Sequence, residues 1–197
     1  MKVEIERRYR LTRRAFDALL GGVEWSAAVE VTDVTFGPHG AESMKADGWI
    51  LRLRRSGTRC ALEYKRQTDA PSIYRELSVA VDDAKATAQM LVAIGLKPGL
   101  LINRTRRIAE RATCELALDD MADFGLFLEV EQRDPRAPEM PGFIVEILRS
   151  AEPAPPYGDL LLDGLRESAS WVPAYLEQRR RELDDLGIAG PSTPGAE

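Results

Sequence analysis

Hydrophobic and polar residues alternate with a period of two in eight stretches of this chain, at about residues 2–10, 28–37, 49–56, 59–66, 73–82, 100–108, 113–119 and 125–132. Successive side chains of a strand point to opposite faces, so each stretch reads as a β-strand with one apolar and one polar face. In the third, Trp49, Leu51 and Leu53 oppose Arg52 and Arg54; in the seventh, Cys114, Leu116 and Leu118 oppose Glu115, Ala117 and Asp119. Ser56-Gly57-Thr58 predicts a tight hairpin turn between the third and fourth strands, and Arg107 to Ala112 a second hairpin between the sixth and seventh, so neighbours are expected to be mostly antiparallel. Helical spacing appears at two interruptions. Thr12 caps a predicted helix running through Leu20 to Gly21-Gly22, and Asp82 or Asp83 caps a longer one with an apolar stripe of Ala86, Met90, Leu91 and Ile94 that ends at Gly95. A Pro-rich passage, Asp134 to Gly142, then leads to helical patterns at 143–150, 158–166 and 172–186. The expected organisation is a single domain over residues 1–188 and a disordered, Pro/Gly-rich tail over 189–197.

The polar faces are charged in a recurring design. Glu4, Glu6, Arg8 and Arg10 share one face of the first strand, and the same spacing returns at Arg52 and Arg54, Glu63 and Lys65, Arg104 and Arg106, and Glu129 and Glu131. Periodicity alone is equally compatible with a barrel or sandwich whose charges face water. Two features favour the opposite arrangement. Basic residues dominate the third, fourth and sixth strands while carboxylates cluster on the first and eighth, and several helices need an apolar surface to cover. A sheet whose apolar face is outside, under helices, turns its charges inward.

Composition narrows the function classes. A length of 197 residues suffices for one sizeable core, and 44% hydrophobic with 30% charged residues is ordinary for a globular domain. The net charge of -5 gives no global attraction to nucleic acid or an anionic membrane, so any anion site must be a local concentration of Lys and Arg. Cys60 and Cys114 form no CxxC pair, no signal peptide precedes the first strand, and no apolar run approaches a membrane span, which together predict a cytoplasmic protein.

An inward ring of charges needs compensation, because a buried unpaired charge costs several kcal/mol. Salt bridges across the lumen supply part of it, and a bound polyanion with a divalent metal would supply the rest. Arginine forks match phosphate bidentately, while Mg²⁺ or Mn²⁺ takes carboxylate and phosphate oxygens together.

The motifs resemble those of the CYTH domain family, the triphosphate tunnel metalloenzymes that include class IV adenylyl cyclases, thiamine triphosphatases and inorganic triphosphatases. The family's opening ExExK is similar to Glu4-Ile5-Glu6-Arg7-Arg8, and later blocks are similar to Leu51-Arg52-Leu53-Arg54, Leu62-Glu63-Tyr64-Lys65, Arg75-Glu76, Arg104-Thr105-Arg106, Leu118-Asp119-Asp120 and Gly125 to Glu131. The resemblance spans roughly residues 3–165 and implies an α+β fold: a closed eight-stranded antiparallel β-barrel enclosing a triphosphate tunnel, with helices packed outside and a helical C-terminal segment. It implies that Glu4, Glu6, Glu129 and Glu131 hold Mg²⁺ or Mn²⁺, with Asp119 as a further ligand or a partner behind the ligands. Arg52, Arg54, Lys65, Arg104 and Arg106 would grip the phosphate chain, Arg8 and Arg10 would extend into the same site, and Glu76 would position a basic residue or a metal-bound water. Arg8, Lys65 and Glu76 are the expected catalytic set.

One departure matters. Arg8 stands where the family signature has Lys, and a guanidinium does not give up its proton at working pH, so a base at that position is unavailable and a metal-bound water or hydroxide takes the role. The expected activity is metal-dependent hydrolysis of a phosphoanhydride bond in an inorganic, thiamine or nucleoside triphosphate. The alternatives are cyclisation of ATP to cyclic AMP and pyrophosphate, and capture of a polyphosphate or nucleotide without turnover. The cyclase reading draws on Tyr157-Gly158-Asp159-Leu160-Leu161, similar to a stretch of cyclase-like members. A triphosphate-bearing small molecule is the expected partner, with a homodimer left open and neither nucleic acid nor membrane expected.

The remaining candidates carry less. His39, in a Gly-Pro-His-Gly turn, reads as a loop residue; Cys60 and Cys114 fall on the apolar parity; Arg179, Arg180 and Arg181 read as a solvated helix face; and Trp25, Trp49 and Trp171 read as packing residues, since none lies in a charged row.

Overall fold

The alternating stretches form strands β1 (Lys2–Leu11), β2 (Val29–Gly37), β3 (Trp49–Ser56), β4 (Arg59–Gln67), β5 (Ile73–Ala80), β6 (Lys97–Glu110), β7 (Cys114–Met121) and β8 (Gly125–Gln132) in the computed structural model, which describes residues 2–69, 72–122, 124–132 and 140–188. Most of the Pro-rich passage and the whole expected tail lie outside the described residues. The strand order is β5-β4-β3-β2-β6-β7-β8-β1, antiparallel throughout, and a β1–β5 pairing closes the ring. β1 achieves closure by serving two neighbours: residues 2–5 pair with β5 and residues 5–11 with β8, so that Glu4 lies opposite Tyr74 and Arg8 opposite Glu129. Closure satisfies the backbone groups that an open sheet would leave at its edges.

The apolar faces point outward and are largely covered by helices, except along β5, where Leu77 and Val79 are 52% and 58% exposed. α1 (Arg13–Gly22) and α4 (Gly142–Ser150) close over one side, where Phe16, Leu19 and Ile144 meet Cys114, Leu116, Leu118, Leu128 and Val130. α3 (Ala84–Ala93), α5 (Tyr157–Arg166) and α6 (Val172–Asp185) cover the other, joining Leu91, Leu161 and Leu183 to Val34, Phe36, Leu53 and Leu101. Fully burying one such side chain contributes about 1.5–3 kcal/mol, so the two shells provide the barrel's hydrophobic stabilisation and leave its interior to polar groups. Thr12 and Asp83 cap α1 and α3 through the amides of Ala15 and Ala86, at 3.2 and 2.8 Å.

Several local expectations are corrected. α3 buries Ala88 and Leu91, while Met90 and Ile94 are 68% and 72% exposed: the helix is apolar on more than one side and only the side facing β6 finds cover. β6 starts three residues earlier than its alternation suggests, because Lys97 and Pro98 pair with Gly37 and Phe36 beyond a register shift in β2 between Val34 and Phe36. The link from β2 to β3 contains a 3₁₀ turn (Gly40–Glu42) and α2 (Ser43–Asp47), and a two-residue strand, β9 (Glu152–Pro153), pairs with Tyr9 and Arg10 of β1. Arg179 leaves the solvated face to donate to the carbonyls of Gly99 and Pro98 at 2.7 and 3.1 Å, whereas Arg180 and Arg181 pair with Glu177 at the surface. His39 lies in its turn, 3.5 Å from Asp47, while Cys60 is half-buried and Cys114 buried. Among the described residues no helix is long and apolar enough to cross a membrane.

Candidate functional site

Inside the barrel, the inward positions of seven strands assemble a cavity of about 500 Å³. Its lining brings together Glu4, Glu6 and Arg8 of β1, Arg52 and Arg54 of β3, Lys65 of β4, Glu76 of β5, Arg104 and Arg106 of β6, and Glu129 and Glu131 of β8. Of the residues singled out from the sequence, Arg10 stands apart: it is exposed beyond the end of the row, donating to the carbonyl of Phe124 at 2.8 Å over the ring of Phe127. Asp119 is completely buried in the wall, one layer behind the cavity.

Two residues that the charged rows do not reveal organise the cations. Asp33 of β2, only 1% exposed, accepts from Arg54 Nε at 2.7 Å and from Arg104 Nη1 at 3.0 Å, with Arg52 3.7 Å away. Burial opposes its ionisation, but Arg104, Arg54 and Arg52 hold the carboxyl well below the usual range. The second is Tyr157, the first residue of α5, whose hydroxyl donates to Asp119 Oδ2 at 2.7 Å while Arg8 stacks 4.1 Å from the ring centroid. Burial, reinforced by Asp119, pushes its phenol well above the ordinary value, so it is a fixed donor. Asp119 in turn chelates Arg106 through both oxygens, at 2.7 and 2.6 Å.

The cations and carboxylates interlock. Arg8 bridges Glu129 and Glu6, Lys65 pairs with Glu6 and sits over the Tyr74 ring, and Arg52 joins Glu63 to Glu76 at 2.6 and 3.0 Å. Burial lowers the charge affinity of Arg8 and Arg52, yet Glu129 for the one and Asp33 with Glu63 for the other more than offset it, so both stay protonated. Glu129 is held well below the carboxylate range, burial notwithstanding, by Arg8, Arg106 and Lys65. Arg104 is the exception: burial, together with the nearby Arg106 and Arg54, outweighs Asp33 and lowers its pKa.

Two features of this arrangement fit the ligands that the residue types call for. The Nε–H groups of Arg8 and Arg104 are buried without a hydrogen-bond partner, and such groups cost about 1–3 kcal/mol until an acceptor such as a phosphate oxygen reaches them. The buried Glu4 is hydrogen-bonded to Glu76, which that contact, Arg52 and Lys65 hold at about 2 against its burial; two adjacent carboxyls require a proton or a cation between them. Hard carboxylate oxygens at Glu4, Glu6, Glu129 and Glu131 suit Mg²⁺ or Mn²⁺. Among the described residues no three acidic, His or Cys side chains converge on one point, because Arg8 and Lys65 stand between the carboxylates.

The charged rows do not run the length of the tunnel. Toward one mouth the inward positions become Ile50, Leu100 and Ile102, joined by Met44 from α2 and Leu162 from α5. There Lys45 and Asp159 form a half-exposed ion pair at 3.4 Å between α2 and α5.

With this geometry in hand, comparison with known proteins decides the family. The sequence profile of the CYTH domain matches residues 2–155. The chain belongs to the CYTH domain family. Comparison with functionally curated proteins gives no match. Among solved structures, the PH1012 protein from Pyrococcus horikoshii OT3 is similar with a TM-score of 0.64 at 21% identity, over 80% of this chain and 98% of that one. A candidate adenylate cyclase from Vibrio parahaemolyticus gives 0.61 at 16% identity, over 81% and 98%. HpAC1 from Hippeastrum, a candidate adenylyl cyclase described as having dominant triphosphatase activity, gives 0.52 at 14% identity, over 98% and 93%. At these identities the likeness is one of fold, and the fold is the closed CYTH barrel.

Proposed function

We propose that this CYTH protein hydrolyses a phosphoanhydride bond of an organic triphosphate with Mg²⁺ or Mn²⁺. The observation that carries the reading is the juxtaposition, within one cavity, of Arg8, Arg52, Arg54, Lys65, Arg104 and Arg106 with the carboxylates of Glu4, Glu6, Glu129 and Glu131. The basic residues bind and orient the phosphate chain, the unpartnered Nε–H groups of Arg8 and Arg104 offering donors to it. Glu4, Glu6, Glu129 and Glu131 would hold the divalent cation, which supplies Lewis acidity at the scissile phosphoryl group and lowers the pKa of a bound water. Arg8 serves as a cationic clamp rather than a base, Lys65 contributes its positive charge beside Glu6, and Glu76 positions Arg52. Asp119, with both oxygens on Arg106 and one on Tyr157, fixes the clamp from behind.

The apolar mouth formed by Met44, Ile50, Leu100, Ile102 and Leu162 supports an organic group on the substrate, since inorganic triphosphate has nothing to place there. The same observation keeps cyclisation of ATP as a second reading, because Tyr157, Gly158 and Asp159 of the cyclase-like segment line the cavity and a nucleoside fits that mouth.

Incubation with ATP, thiamine triphosphate and inorganic triphosphate in turn, with Mg²⁺ or Mn²⁺, separates the readings by product. Orthophosphate release from an organic triphosphate, abolished by chelator and by Glu4→Gln with Glu6→Gln, is the expected result. Cyclic AMP with pyrophosphate would establish the cyclase, and tight binding without product would leave a capture protein.

A further inference from the structure

We infer that the C-terminal helical segment completes the tunnel by supplying Tyr157 as a positioning residue for two separate arginines, Arg8 and Arg106. This rests on the reading of the tunnel as a triphosphate site. Tyr157 lies just beyond the residues matched by the CYTH profile, and a short strap carries it to the lumen. The Pro153-Ala154-Pro155-Pro156 run has few backbone states to lose, and it is fastened to β1 beside Arg8: Pro153 pairs with Tyr9, and the Ala154 amide donates to the Arg8 carbonyl at 2.9 Å. Pro156 then opens α5, which points the Tyr157 ring inward.

The ring and the hydroxyl act on different partners. Arg8 places its Cζ over the ring, 4.1 Å from the centroid, and also donates to the Pro155 carbonyl at 3.3 Å, so the strap and the ring together fix the position of its guanidinium. The hydroxyl binds Asp119 Oδ2, the atom that also accepts from Arg106 Nη2 at 2.6 Å. Removing that donor frees Asp119 to rotate and with it the fork of Arg106. Phe127 meets the ring edge-on at a centroid distance of 5.2 Å, and this packing belongs to the ring alone.

Tyr157→Phe therefore separates positioning from packing, since it keeps the ring and deletes one oxygen. Triphosphate affinity, measured by calorimetry with inorganic triphosphate and Mg²⁺, is expected to fall about tenfold in Tyr157→Phe with the melting temperature nearly unchanged, and further in Tyr157→Leu. In an Arg106→Ala background the additional effect of Tyr157→Phe should vanish, because the hydroxyl acts through Arg106. Phenylglyoxal labelling read by peptide mass gives a measure free of any triphosphate: Arg106 should label faster in Tyr157→Phe, and both Arg8 and Arg106 in Tyr157→Leu. Unchanged labelling in Tyr157→Phe, or affinity losses that simply add, would overturn the inference. Failure of the wild type to bind any triphosphate would instead sink the functional reading, while the labelling still decides whether Tyr157 positions the arginines.

Discussion

Asp33 is the residue on which the tunnel arginines Arg52, Arg54 and Arg104 converge, and its burial makes it indispensable in a way that surface pairs are not. Removing one member of a buried ion pair costs about 3–5 kcal/mol, because the remaining charge stays desolvated. Asp33→Ala leaves Arg104 with only Asp119 at 3.8 Å while Arg54 keeps Glu63 at 3.4 Å, so a loss toward the lower end of that range, about 3 kcal/mol, is expected in chemical denaturation. Added inorganic triphosphate should recover part of it by replacing the missing anion. The same carboxylate helps set the acid limit of the fold. Asp33, Glu129 and Glu76 titrate below their ordinary range in the folded protein, Glu76 at about 2, so the unfolded chain takes up protons first as pH falls. Their stabilisation is complete above about pH 5, where the unfolded carboxyls are also ionised, and is lost progressively below that toward pH 2. Denaturation midpoints that stay level down to pH 2 would show that these ion pairs do not couple to folding, and Asp33→Asn should flatten the slope. Nothing in the alternation of β2 marks this residue, because Glu30, Thr32 and Asp33 put polar groups on both faces and no second charge stands two positions from it. Tyr157 stood in the sequence only as the start of the cyclase-like stretch, and its contacts with Arg8 and Asp119 were hidden, since they join residues far apart along the chain.

At the scale of elements, the barrel strands were legible because a closed sheet between a charged lumen and helical cover enforces one parity along its length. The rule fails where a strand bends. At the β2–β6 bulge, Gly99 is required by close approach: a Cβ there would lie 2.5 Å from Thr35 Oγ1 and 2.9 Å from the Gly40 carbonyl, while Thr35 Oγ1 accepts from the Leu100 amide at 2.7 Å. Gly99→Ala must push these groups apart, at a cost of about 1–3 kcal/mol for a contact that cannot relax. Because Leu100 and Ile102 follow directly into the apolar mouth, the variant should also weaken binding of an organic triphosphate more than that of inorganic triphosphate. Equal losses for the two ligands would separate the bulge from the mouth. The neighbouring 3₁₀ turn and α2 were not legible, since a few residues carry too little period to read, and the apolar stripe of α3 misled because only the side carrying Ala88 and Leu91 packs, while Met90 and Ile94 stay exposed.

For the whole molecule, the ion pairs that line the tunnel constrain how a metal and a triphosphate would enter. Lys65 is tied to Glu6, Arg8 to Glu129, and Arg106 to Asp119 and Glu129, so the groups assigned to phosphate are held by carboxylates, two of which are assigned to metal. A triphosphate arriving alone meets those carboxylates as well as the cations, and a divalent cation arriving alone meets Arg8 and Lys65. On the proposed reading, a metal would take Glu6 and Glu129 while Lys65 and Arg8 would turn to the phosphates, so each ligand would remove the competitor of the other. Linkage makes the effect reciprocal, and couplings of this kind typically amount to about 1–3 kcal/mol, or roughly 5–150-fold in affinity. Calorimetric titration with inorganic triphosphate at several free Mg²⁺ levels, corrected for the complex formed in solution, should show affinity rising with metal, and the converse titration should give the same factor. Glu6→Gln should raise metal-free triphosphate affinity by releasing Lys65 while reducing the coupling. Affinity independent of Mg²⁺ in the wild type would mean that the ion pairs persist in the liganded protein, and the phosphate chain would then have to be bound by the unpartnered Nε–H groups of Arg8 and Arg104 without exchange.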